Sequence, residues 1–237
     1  MDNFYFKNLF KELAFRVFSV FDYCRHHPLR GLEKIAFGSS VEYISKNMPD
    51  AVGMRSGREI IKFAVSEAKE DGEWLEFGVY RGGSIRYIAA LAKEKIIHGF
   101  DTFYGLPEKW GGTAYAKNAF DTNGRLPRVP KNVTLHKGAF DKTLPEWLAG
   151  KSSKLKISFL YIDCDIYSST RTIFEHLGSF IQQGTCIVFD EYFNYPNWHN
   201  HEFKAFSEFV KRAGISYEYL AYAKEQVVVR ITQVDNH

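Results

Sequence analysis

Short apolar runs alternate with amphipathic helical stretches along most of this chain, and three of the runs end on an aspartate. The runs are 74–79, 96–100 followed by Asp101, 133–136, 157–162 followed by Asp163, and 185–189 followed by Asp190. Each is short enough for a strand and is bounded by turn residues. Between them, Ile85 to Lys93 and Ser168 to Ile181 repeat apolar residues at helical spacing, with Ile173, Phe174, Leu177, Phe180 and Ile181 facing inward. Strand and helix in strict alternation predict a doubly wound α/β fold, a mostly parallel sheet with helices on both faces. A helix over 202–212 and an antiparallel pair, 217–220 with 226–231, are expected to close the chain.

Upstream of the first run the pattern is helical, so the expected division is an N-terminal helical extension, residues 1–70, and an α/β domain, residues 71–237. Ile60, Ile61, Ala64, Val65 and Ala68 mark one helix face in the extension. Phe6, Phe10, Leu13, Val17 and Val20 mark another, interrupted by Lys7, Lys11, Glu12 and Arg16, so no membrane span is expected. No small-residue cleavage site follows, so no secretory signal is expected either. The first segment is expected to dock on its own domain or on a second copy of the chain; contact with a membrane surface is the alternative. Three cysteines without a C-x-x-C pair imply no disulfide framework and suit a cytoplasmic location. With 31 basic and 28 acidic residues the charge is too balanced for a nucleic-acid partner.

In open α/β sheets, ligands bind outside the carboxyl ends of the strands, where this sequence places its acids. The turn after the first run, Glu76 to Ser84, contains Gly78, Gly82 and Gly83, which let backbone approach a ligand closely. Its spacing is not that of the nicotinamide fingerprint. Asp101 lies 25 residues beyond Glu76, where an acid commonly accepts from ribose hydroxyls. Asp163-Cys164-Asp165 and Asp190-Glu191 end the next two acid-bearing runs, so their carboxylates are placed to converge. Unpaired acids gathered together call for a cation, and oxygen-only ligands suit Mg²⁺, Mn²⁺ or Ca²⁺. Cys164, between two acids, is a poor nucleophile. His199 and His201 are expected on a solvated loop, and His136 as a core or capping residue. The long 102–130 stretch and the 39 aromatic residues suit a substrate-covering loop and an aromatic-lined pocket or core.

Five segments then occur in a recognisable order: 76–84 (EFGVYRGGS), 100–107 (FDTFYGLP), 137–145 (KGAFDKTLP), 162–167 (IDCDIY) and 189–192 (FDEY). Together they resemble the macrocin O-methyltransferase family (TylF, MycF and NovP type) over roughly residues 50 to 215. The resemblance implies a Rossmann-like class I methyltransferase sheet. It implies O-methylation of a hydroxyl on a sugar or glycosylated metabolite, using S-adenosylmethionine and a divalent cation, Mg²⁺ first among the candidates. It implies cofactor contacts at Glu76, Gly78, Tyr80, Arg81, Gly82, Ser84, Asp101, Gly138 and Phe140. It implies cation ligation by Asp163, Asp190 and Glu191, with Asp165 as the base near the acceptor hydroxyl. The chain departs from the family at Glu191, where a second aspartate is usual, at Cys164, where glycine is usual, and in the aromatic loop 194–201. Two other readings remain open: a metal-dependent glycosyltransferase, because Asp163-Cys164-Asp165 is also a D-x-D, and a non-catalytic scaffold.

Overall fold

The structure, a computed structural model, describes residues 11–16, 19 and 27–234. Residues 11–16 are helical and exposed. Most of the apolar stripe expected there, Phe6, Phe10, Val17 and Val20, lies outside the described residues. No described helix is long and apolar enough to cross a membrane.

From residue 28 the chain runs through α1 (Pro28–Asn47), β1 (Val52–Gly53) and α2 (Gly57–Glu67). It continues with β2 (Glu73–Phe77), α3 (Gly83–Leu91), β3 (Ile97–Asp101) and β4 (Val133–Lys137). Then follow α4 (Phe140–Ala149), β5 (Ile157–Ile162), α5 (Tyr167–Leu177) and β6 (Ile181–Phe189). It ends with α6 (Glu202–Ala213), β7 (Ile215–Tyr222) and β8 (Val227–Val234). Among the described residues the strands form one eight-stranded sheet in the order β1-β7-β8-β6-β5-β2-β3-β4. Strands β2 to β6 pair in parallel, and β8 pairs antiparallel with both β6 and β7. β1 adds a two-residue parallel edge to β7, which no sequence signal announced. α4 likewise has no counterpart among the expected elements, because Pro145 sits inside it and masks the helical pattern.

Both sheet faces are buried, so alternate side chains along one strand enter different cores. Leu75, Phe77, Leu160, Ile162, Ile187 and Phe189 pack with Leu144, Phe174 and Phe206 from α4, α5 and α6. Trp74, Phe159, Tyr161, Cys186 and Val188 pack on the other face with Ile60 and Ala64 of α2 and Ile85 of α3. Each fully buried side chain of this size contributes about 1.5–3 kcal/mol, which fixes the sheet that carries the acids.

The parallel order reverses between β2 and β5: β3 and β4 lie on one side, β6 on the other. That switch point is where the α/β architecture opens a crevice. Gly78 and Asp163 meet there. Gly78 has φ +89°, and a Cβ on it would overlap the Asp163 carbonyl oxygen, so only glycine fits.

α1 seats on the loop that follows β6. The buried Ser40 hydroxyl accepts the Asn194 N–H (2.9 Å), and Trp198 Nε1 donates to Ser39 Oγ (3.1 Å). Tyr43, Tyr192 and Tyr219 join their hydroxyls at 2.6 and 2.8 Å.

Candidate active site

The turn after β2 is organised by Asp101. Its Oδ2 accepts the N–H groups of Val79 (2.9 Å) and Tyr80 (2.7 Å), and Oδ1 accepts that of Phe103 (2.7 Å). One carboxylate thus ties the β2 turn to the loop after β3 and holds Tyr80 at φ +47°. Only one protein donor reaches Oδ1, which leaves that atom acceptor capacity at the cavity. Glu76 is fully buried. Its Oε1 accepts from Ser84 Oγ (2.7 Å), while Oε2 has no partner. Burial, followed by the Asp190 and Asp101 charges, pushes its carboxyl well above the usual range.

A cavity of about 650 Å³ opens at the switch point. Gly78, Tyr80, Asp101 and Phe140 line it from the cofactor set expected in the sequence, and Asp163, Asp165 and Glu191 from the acids. The remaining expected residues do not line it. Glu76 and Ser84 hydrogen-bond to each other behind the turn, and Arg81 lies exposed beside the Tyr80 ring. Gly82 packs near Pro127, and the Gly138 N–H donates to the Asp101 carbonyl (2.9 Å). Trp110, Tyr115, Phe120 and Tyr195 form an aromatic wall on the cavity, with Leu106 beside them.

On its floor, carboxylate oxygens of Asp163, Asp165 and Glu191 all lie within 4.8 Å of one another. Asp165 adopts φ +66°, which turns the chain just past Cys164. Desolvation, then the neighbouring acids, raises all three carboxyls, Asp165 to about 7. Asp190 stands outside this trio and accepts the Tyr161 phenol at 2.5 Å. The structure therefore groups Asp165, expected as a separate base, with Asp163 and Glu191, while Asp190, held by Tyr161, stays near enough that its charge is the first of those raising all three carboxyls.

These residues fit a hard divalent cation. The donors are oxygens alone, and Glu191 Oε2 is buried without any partner. They fit a ribose-bearing cofactor as well, through the Asp101 acceptor beside a backbone-lined turn.

Sequence reasoning missed three contributors. Glu202, at the head of α6, is fully buried against the acid loops. Tyr161 holds Asp190. His201, expected to be solvated, is buried, with Nε2 2.8 Å from the Gly111 carbonyl and 3.3 Å from Asn197 Nδ2. The loop after Glu191 folds inward because Tyr192, Phe193 and Trp198 are core residues, and His201 is carried with it. His199 is exposed as expected, on the Trp198 ring. The period-2 pattern signalled Tyr161 only as a core residue, and no sequence signal marks the direction of the Glu202 carboxylate.

This parallel sheet, its switch-point cavity and its antiparallel C-terminal hairpin define a class I methyltransferase fold. Residues 75–192 match the family model described as a methyltransferase domain. Two solved structures share the fold at 21% identity: CalS11, a calicheamicin methyltransferase, and the O-methyltransferase NovP. CalS11 matches with a TM-score of 0.59 over 85% of this chain and 90% of its own. NovP matches with a TM-score of 0.58 over 74% and 79%. An apo structure of CalS11, described as a TDP-rhamnose 3'-O-methyltransferase, also matches at 21% identity, with a TM-score of 0.53 over 85% and 92%. A comparison with curated proteins finds no match.

Proposed function

We propose that the protein is an S-adenosylmethionine-dependent O-methyltransferase acting on a hydroxyl of a sugar or glycosylated metabolite. In this reading Asp163, Asp165 and Glu191 hold a divalent cation, Mg²⁺ first among the candidates. The observation that carries the reading is the convergence of those three carboxylates within 4.8 Å, in the same cavity as the Asp101-organised turn. The matched methyltransferase domain and the O-methyltransferase NovP support the reaction class, and the named activity of CalS11 supports the acceptor class. The free buried thiols of Cys164 and Cys186 suit a cytoplasmic setting.

When bound, the cofactor supplies an electrophilic methyl group, and the cation lowers the pKa of a hydroxyl it holds. The protein's own part is placement. Asp101 would hold the ribose, and Gly78 and Tyr80 would present backbone to the rest of the cofactor. Trp110, Tyr115 and Tyr195 offer flat faces to the C–H side of a sugar ring and exclude water. Asp165 would take the hydroxyl proton on a carboxylate oxygen not engaged by the cation, with the cation supplying most of the activation. Positioning of this kind lowers barriers by several kcal/mol when the reacting atoms are held in line.

The test is calorimetric titration with S-adenosylhomocysteine and with a nucleoside diphosphate, followed by methyl transfer to a panel of nucleotide sugars and glycosides with and without chelator. S-Adenosylhomocysteine should bind, whether or not the nucleoside diphosphate occupies the acceptor site; transfer should stop in chelator and return with Mg²⁺ or Mn²⁺. Full turnover in chelator would remove the cation from the mechanism. Binding of the nucleoside diphosphate alone would favour a glycosyltransferase.

A further inference from the structure

We infer that Glu202 is a positioning residue that sets the geometry of the acid trio, an assignment that rests on the cation reading above. Its carboxylate bridges the two loops that carry the trio. Oε1 accepts the N–H of Cys164 (3.3 Å), between Asp163 and Asp165, and Oε2 accepts the N–H of Glu191 (3.2 Å). One side chain therefore fixes the spacing between the β5 loop and the β6 loop.

A plain acid in the first turn of a helix needs no burial, since the favourable interaction with the helix dipole is available in water. Glu202 instead has no solvent exposure, although burying a carboxylate beside other acids is costly. Two backbone donors offset part of that cost, and the gain is a fixed register between the loops. The anchor is rigid. Phe206 and Phe209, one and two turns further along α6, pack on Phe174 at 5.9 and 4.5 Å between ring centres. The preceding residue, His201, reaches the Gly111 carbonyl next to Trp110, so the head of α6 touches both the acids and the aromatic wall. Outer contacts that orient metal-binding side chains commonly carry 10–100-fold in affinity.

The experiment is Mn²⁺ titration of the cofactor-free protein, read by electron paramagnetic resonance, with S-adenosylhomocysteine affinity measured in parallel. Glu202→Gln keeps the shape but turns an amide NH₂ toward one of the two N–H donors. We expect Mn²⁺ affinity to fall about 10–100-fold while S-adenosylhomocysteine affinity stays within about twofold. Unchanged Mn²⁺ affinity overturns the assignment, as does a parallel loss of both affinities, which marks a general structural role. A wild-type protein that binds no Mn²⁺ refutes the cation reading, and this assignment with it. If Glu202→Gln does not fold, Glu202→Asp takes its place under the same criteria, being one methylene short of spanning both amides. Failure of both variants to fold assigns Glu202 to stability alone and overturns its positioning role.

Discussion

Replacing Asp165 with asparagine should stabilise the cation-free protein, although it removes a residue placed in the active site. The carboxylates of Asp163, Asp165 and Glu191 lie within 4.8 Å of one another. At an effective dielectric of about 20, two unit charges at that separation repel by about 3.5 kcal/mol. Asp165→Asn removes two of the three pairs, about 7 kcal/mol of repulsion if all three acids are charged. The proton provides a separate measure, set first by burial and then by the Asp190 and Asp101 charges. Folded Asp165 keeps its proton up to about 7, whereas an ordinary aspartate releases it at 3.8. At 1.36 kcal/mol per pH unit, that gap corresponds to about 4 kcal/mol. The sign follows from the raised value: the folded chain binds more protons than the unfolded one between those pH values, so stability falls as pH rises through the window. In chelator at pH 8, Asp165→Asn should melt about 8–16 °C above wild type, at roughly 2–4 °C per kcal/mol for a chain of this size. At pH 5 the gap should shrink to less than half. Saturating Mg²⁺ should close it from the other side, because wild type gains about 2.7 kcal/mol at 100 times its dissociation constant and the variant gains less. Scanning calorimetry at both pH values, with chelator and with Mg²⁺, measures all four terms. A variant that melts below wild type at pH 8 in chelator, or a gap independent of pH, would refute the argument that these acids repel one another.

His136 gives the opposite pH sign. Burial, then His98 and Lys151, pushes it down to about 4, so the unfolded chain takes up its proton first and stability is lost as pH falls from 6.5 toward 4. Discounted for its half-exposed position, the effect is about 1–2 kcal/mol. His136→Phe, which keeps the stack on Phe100, should remove it from urea midpoints taken at pH 7.5 and 4.5, and an unaltered pH dependence would count against it. Gly78→Ala should cost more than about 3 kcal/mol, because the added methyl meets the Asp163 carbonyl and φ is +89°. Denaturant unfolding with a near-wild-type midpoint would show that the switch point yields.

The sheet was legible because each strand's apolar run is local and its acid follows directly. Asp101, Asp163 and Asp190 could be placed at strand ends from spacing alone, and β5 matches its expected bounds. The grouping of the acids was not legible. Whether Asp165 or Asp190 joins Asp163 and Glu191 depends on a left-handed residue after Cys164 and on the Tyr161 phenol holding Asp190. Neither leaves a mark on hydropathy. Glu202 was hidden for a related reason: an acid at the start of an amphipathic helix reads as an ordinary polar position until the loops above it are built. His201 was misjudged because a polar neighbourhood in sequence, His199-Asn200-His201, spans a buried and an exposed site in space.

The antiparallel hairpin of β7 and β8 has a consequence for handling fragments of this chain. The matched methyltransferase segment stops at Tyr192, yet β6 depends on β8 for one whole side of its hydrogen bonding, from Cys186 opposite Arg230 to Phe189 opposite Val227. A fragment cut there would present Cys186, Ile187, Val188 and Phe189 as an apolar edge with unpaired N–H and C=O groups, a template for intermolecular strand addition and precipitation. The hairpin turn also receives the Tyr192 N–H on the Glu225 carbonyl (2.9 Å), so the same cut would free the loop beside Glu191. Solubility and catalytic competence are thus expected to be lost together when the chain is cut between Tyr192 and the hairpin.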